Sequence, residues 1–141
     1  MPPEPSGRPD ILLVDDDVAL ASAVAAVLRK HGYAVVLAHQ GREAMKLLKK
    51  DEVSLVISDI FMPDCDGIEL LNHLRSLTPA TPMVAMSGGI NTRVTGMLKV
   101  AAKLGAVRTL PKPFEVAALI ALVRELIGPP GALAGVRESA V

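Results

Sequence analysis

Ile11-Leu12-Leu13-Val14-Asp15-Asp16-Asp17 decides the fold: four consecutive apolar residues stop abruptly at three carboxylates. An unbroken apolar run of that length, with no polar alternation, is the pattern of a strand covered on both faces. Leu55-Val56-Ile57-Ser58-Asp59 repeats it and again ends at an acid. Between the two, Ala19, Leu20, Ala23, Val24, Val27 and Leu28 recur at helical spacing, and Gly32 follows as a helix stop. Strand, helix and strand in that order are the start of a parallel sheet, since parallel neighbours need a crossover between them.

Working outward, Val35-Val36-Leu37 is a second strand and Ala44, Leu47 and Leu48 form the stripe of a second helix. Ile68, Leu71 and Leu74 give a third helix after Gly67. Pro82 precedes the strand Met83-Val84-Ala85-Met86. Val94, Met97, Leu98, Ala101 and Ala102 predict a fourth helix stopped by Gly105. Residues 107–110 predict a fifth strand, and Val116, Leu119, Ile120, Val123 and Ile127 a fifth helix. Five βα units imply an α/β fold with helices on both faces of a parallel sheet. The common solution for five units is a flavodoxin-like, doubly wound sheet with strand order 2-1-3-4-5. The ends differ in character. Residues 1–9 hold four prolines and read as a disordered leader, and residues 128–141 open with Gly-Pro-Pro-Gly and read as a flexible tail. One domain over residues 10–127 is expected.

Composition excludes several functions. Half of the 141 residues are hydrophobic, but the aromatics are only Tyr33, Phe61 and Phe114, so the core is aliphatic and stacking platforms for single-stranded nucleic acid are lacking. Fifteen basic residues balance fifteen acidic ones, leaving no net field toward phosphate backbones or anionic membranes. A single cysteine, Cys65, permits neither an internal disulfide nor a cysteine-rich zinc site. The longest apolar run, 116–123, is far short of the ~20 residues of a membrane span. A soluble cytoplasmic protein is the expectation.

In open parallel sheets, sites form beyond the carboxyl ends of the strands. There the sequence places Asp15, Asp16 and Asp17 after strand one, Asp59 at the end of strand three, Ser87 after strand four, and Pro111-Lys112-Pro113 after strand five. Carboxylates gathered at one edge repel one another unless a hard divalent cation or an ammonium lies between them. Acids after strands also serve as helix N-caps, and that is the reading preferred for Asp17. Capping does not account for acids on two separate strands together with a lysine stiffened by two prolines. Ser87, otherwise a turn residue before Gly88-Gly89, can donate to a phosphoryl oxygen. His31, His39 and His73 have no metal-ligand partner at useful spacing and read as structural or surface residues.

Leu13-Val14-Asp15-Asp16, the stretch Ile57-Ser58-Asp59-Ile60-Phe61-Met62-Pro63-Asp64-Cys65-Asp66-Gly67, Met86-Ser87-Gly88 and Leu110-Pro111-Lys112-Pro113-Phe114 together resemble the receiver domain of bacterial two-component response regulators. The resemblance implies that Asp59 is the phosphoacceptor. It further implies that Asp15, Asp16, Asp59 and the backbone carbonyl of Phe61 hold Mg2+, and that Ser87 and Lys112 bind the phosphoryl group. The implied donor is a histidine kinase or histidine phosphotransfer protein. Output would pass through the face made by the fourth helix, fifth strand and fifth helix, or by phosphorelay. The sequence departs from the family at Thr109, where many members carry an aromatic switch residue three positions before the lysine.

The stretch after residue 127 is too short for an output domain, so the expectation is a single-domain response regulator that signals to an unknown downstream protein. It is expected to be a monomer or weak homodimer with no direct nucleic-acid or membrane contact, and a phosphoacceptor rather than an enzyme. Two other readings compete. A small haloacid-dehalogenase-like phosphatase would use Asp15 as nucleophile and Asp17 as general acid, but it lacks a late acidic pair. A pseudo-receiver scaffold would keep the fold without taking phosphate, which the intact acid set argues against.

Overall fold

The computed structural model describes residues 10–60, 67–77, 81–87, 99, 102–103, 105–112 and 114–130. Five strands, β1 (Ile11–Val14), β2 (Val35–Ala38), β3 (Leu55–Asp59), β4 (Met83–Ser87) and β5 (Arg108–Pro111), form one parallel sheet in the order β2-β1-β3-β4-β5. This is the expected flavodoxin-like order. The fifth strand begins one residue later than expected and runs through Pro111, where an edge strand tolerates a missing N–H. The described helices are α1 (Val18–Lys30), α2 (Gly41–Lys50), α3 (Gly67–Ser76) and α4 (Val116–Ile127). Of the helix expected at 94–102, Lys99 and Ala102 are helical, as is Lys103, and the rest lies outside the described residues. The leader at 1–9 and most of the tail lie outside them too.

The alternation of β-strand side chains explains why continuous apolar runs were needed. Ile11 and Leu13 point to one face, where they join Leu55, Ile57, Val84 and Met86 beneath α1 and α4. Leu12 and Val14 point to the other and join Val56, Met83 and Ala85 beneath α2 and α3, including Leu70, Leu71 and Leu74. All four residues of β1 are buried. Burying each such aliphatic side chain contributes about 1.5–3 kcal/mol, so a polar residue anywhere in β1 removes support from one face or the other.

Helix α1 is bounded by local chemistry. Asp17 is its N-cap, its Oδ1 accepting the Leu20 N–H at 3.0 Å, as the capping reading expects. At the other end the Tyr33 N–H donates to the Leu28 carbonyl and the Gly32 N–H to the Arg29 carbonyl, the paired bonds of a Schellman motif. Gly32 has φ +99°, and a Cβ there would lie 2.7 Å from the Pro130 ring, so both backbone and packing demand glycine. The Tyr33 hydroxyl donates to the Gly128 carbonyl at 2.8 Å, tying the end of α4 to the start of β2. Among the described residues no helix is long and apolar enough to cross a membrane.

Candidate functional site

The sheet register assembles the site. Val14 pairs with Ser58 across β1 and β3, so the next position along each strand, Asp15 and Asp59, emerges side by side at the carboxyl edge. β5 ends at the same edge, with Pro111 opposite Ser87 of β4, and its next residue is Lys112. This edge holds the topological switch between β1 and β3, the place where open α/β sheets form binding crevices.

Asp15 is 1% exposed and Asp59 is 7% exposed, whereas Asp16 is exposed. One carboxylate oxygen from each of the three lies within 4.8 Å of the others. The Lys112 ammonium enters the same pocket, donating to Asp15 Oδ2 at 2.6 Å and to Asp59 Oδ2 at 3.1 Å. Asp15 is held on several sides. Its Oδ1 accepts the Asp17 N–H at 2.9 Å, its own N–H donates to the Ala38 carbonyl, and its carbonyl lies 3.1 Å from His39 Nδ1. Beside Asp59, buried Ser58 donates through Oγ to the Asp59 carbonyl at 2.9 Å, and the Ile60 N–H donates to the Met86 carbonyl at 3.0 Å. The acid on β3 is therefore fastened to a fully packed strand rather than to a loose loop.

Burial by itself lowers the Lys112 pKa, but the hydrogen bond to Asp15 and the charges of Asp59 and Asp15 outweigh it and hold the ammonium above its ordinary range. Three carboxylates facing one ammonium leave the pocket with an excess of negative charge. Oxygen ligands at this separation, on rigid strand ends and with one acid open to water, suit a hard divalent cation that keeps part of its hydration shell. A carboxylate neutralised on one side by lysine and backed by such a cation is chemically able to attack an electrophilic phosphorus.

The structure thus brings together Asp15, Asp16, Asp59 and Lys112, four of the residues singled out from the sequence. Ser87 ends β4 at the same edge, and its side chain lies outside the described residues, as does Phe61 altogether. Thr109 lies in β5 opposite Ala85 and is partly buried. His39, read from sequence as a surface or structural residue, contacts the Asp15 backbone, a partner the sequence did not name. The signal that finds it is register: Val14 pairs with Ala38, so His39 stands beside Asp15. Next to Lys112, an apolar groove of about 390 Å3 runs between α1 and α4, lined by Leu20, Ala23, Val24, Val27, Phe114 and Val116.

Residues 11–124 match the family model of the response regulator receiver domain. Curated relatives include the response regulator MprA of Mycolicibacterium vanbaalenii, 37% identical over 119 residues, which cover 83% of this chain and 49% of MprA. The transcriptional regulatory protein CpxR of Escherichia coli is 39% identical over 119 residues, covering 83% of this chain and 48% of CpxR. The chain spans about half the length of these curated relatives. Among solved structures, the receiver domain of NtrX from Brucella abortus superposes with a TM-score of 0.77 at 29% identity, covering 84% of this chain and 98% of that one. The receiver domain of the Francisella response regulator 1452 gives 0.74 at 30% identity, covering 84% and 96%. Family match, strand order and the acidic edge agree: the chain belongs to the receiver-domain family of two-component response regulators.

Proposed function

We propose that Asp59 of this chain accepts a phosphoryl group from a histidine kinase or histidine phosphotransfer protein in a magnesium-dependent reaction. The observation that carries the reading is the Lys112 ammonium bridging Asp15 and Asp59, which joins carboxylates from two strands to a cation from a third stretch of chain. An Asp59 carboxylate oxygen attacks the phosphorus of a phosphohistidine in line. The new O–P bond forms as the P–N bond breaks, and the electron pair stays on the leaving imidazole, which takes up a proton. Magnesium binding is a feature of the family; Asp15, Asp16 and Asp59, with the Phe61 carbonyl, would hold the ion here, where it supplies positive charge against the phosphoryl oxygens. Lys112 neutralises a second oxygen, so catalysis is positioning and electrostatics. The Asp15–Lys112 contact keeps the ammonium in place before phosphate arrives.

The product adds strong acceptor oxygens at Asp59. Ser87, at the end of β4, would supply a hydroxyl donor to one of them. That biases a pre-existing equilibrium at the face formed by Lys99, Ala102 and Lys103 with β5 and α4. With Thr109 in place of an aromatic, no ring rotation in β5 takes part. The phosphatase alternative is disfavoured: residues 11–124 match the receiver-domain model, and the Asp17 carboxylate caps α1.

The same reading makes the chain a cytoplasmic, single-domain regulator, 10–127 being the receiver, that signals to a protein partner as a monomer or weak homodimer; its zero net charge favours protein over nucleic acid. A second reading, the receiver portion of a longer regulator, is favoured by the half-length coverage of MprA and CpxR. The mass of the protein isolated from its host separates the two.

The acceptor assignment is tested by incubating wild type and Asp59→Asn with acetyl phosphate and magnesium. Wild type should acquire an acid- and alkali-labile acyl-phosphate label that the variant lacks. Equal labelling of the two overturns the assignment.

A further inference from the structure

The pocket has a second tier that the phosphoacceptor reading does not use. The paired rungs of β1 and β2 end at Val14 and Ala38. One step further, the ladder gives way to a side chain: the His39 ring reaches the Asp15 carbonyl oxygen through Nδ1 at 3.1 Å. That carbonyl belongs to the peptide linking Asp15 to Asp16. Its direction fixes the plane from which Asp16 departs, and hence where the exposed carboxylate of the acid pair can reach. His39 is itself anchored, its N–H donating to Glu43 Oε1 at 2.8 Å in the first turn of α2. The ring thus sits between a packed helix and the turn that carries two of the three clustered acids.

We propose that His39 is a positioning residue for the metal pocket, acting through the Asp15–Asp16 peptide. The inference rests on the assignment of Asp15, Asp16 and Asp59 as metal ligands. A carbonyl oxygen accepts, so the ring must carry its hydrogen on Nδ1. A side chain that offers an N–H at the same place preserves the function, and one of similar bulk without a donor does not. Groups that orient metal ligands from behind typically change affinity by about 10- to 100-fold when removed. His39 acts one peptide away from the ligand atoms, so the low end applies.

The test is magnesium titration of the full chain by calorimetry, with metal-free thermal melts of each variant alongside. His39→Ala should weaken magnesium binding about tenfold with little change in the metal-free melt. His39→Asn, whose amide N–H can occupy the Nδ1 position, should bind nearly as wild type does. His39→Leu, which keeps bulk but has no donor, should behave like the alanine variant and replaces it if that variant folds poorly. Wild-type affinity in both donor-free variants overturns the inference, and so does an Asn variant as weak as the Leu variant. If wild type itself takes up no magnesium, the metal-site assignment fails and the inference with it, an outcome distinct from the other two.

Discussion

Two aspartates bound the same four-residue strand, and they have become different things. Asp10 stands at the amino end of β1. Its N–H donates to the Ala34 carbonyl, its Oδ2 accepts the Ala34 N–H at 2.9 Å, and its carbonyl accepts the N–H groups of Ser54 and Leu55. It clamps the start of β2 and the start of β3 to β1. Asp15 stands at the carboxyl end, is 1% exposed, and faces Lys112, with Asp16 and Asp59 beside it. The Asp10 carboxylate meets a backbone N–H, that of Ala34. Asp15 meets other charges, which leave the pocket in need of a cation. The chemistry belongs to the end of the sheet, not to the residue type.

Removing Lys112 should produce the largest difference between the two ends. Lys112→Met leaves the buried carboxylates of Asp15 and Asp59 without their ammonium, and breaking such a buried pair costs about 3 kcal/mol. Urea unfolding of the metal-free protein should show this loss, and magnesium should recover part of it. A variant as stable as wild type without metal contradicts the electrostatic account of the pocket. The same comparison has a pH signature. Lys112 has a raised pKa in the folded protein, so its stabilisation is complete below the ordinary lysine range of about 10.4 and is lost as pH rises through the higher folded value. The stability gap between wild type and Lys112→Met should hold through neutral pH and close as alkali neutralises the ammonium. A gap that persists unchanged in strong alkali points to a different group.

Asp16→Ala comes next. The side chain is exposed, so the metal-free melt should barely move, while magnesium affinity should fall by at least about tenfold, the scale of lost site contacts. Undiminished affinity removes Asp16 from the ligand set. The smallest effect is expected at the other end of β1. Asp10→Ala should cost about 1 kcal/mol, the scale of a lost side-chain cap to a backbone N–H, and leave magnesium affinity unchanged. A large change in magnesium binding on altering Asp10 would blur the contrast between the two ends.

The sequence made the sheet legible because β1, β3 and β4 are covered on both faces, and covering leaves an unbroken apolar run as its trace. The order 2-1-3-4-5 came from the common solution for five units, and the structure has it. The site was legible to the extent that its residues follow strands: Asp15, Asp59 and Lys112 are all fixed by where a strand stops. Asp17 was readable as a cap because capping is local. His39 was not, because its partner lies 24 residues away and the contact depends on the β1–β2 register, which no local pattern contains. The Schellman bonds at Gly32 were half legible: glycine marked the stop, but the Pro130 ring packed over it comes from the far end of the chain. Phe61 and the Ser87 side chain, both assigned by resemblance, lie outside the described residues.

The central claim is that one of these carboxylates, and no other, takes the phosphoryl group. Borohydride reduces an aspartyl phosphate to homoserine and leaves free aspartates untouched. The measurement is therefore peptide mass spectrometry of the wild-type chain after phosphorylation with magnesium and reduction. The account predicts homoserine at position 59 and at no other aspartate, and none when magnesium is withheld. Homoserine at position 15, or label that forms equally well without the metal, would contradict it.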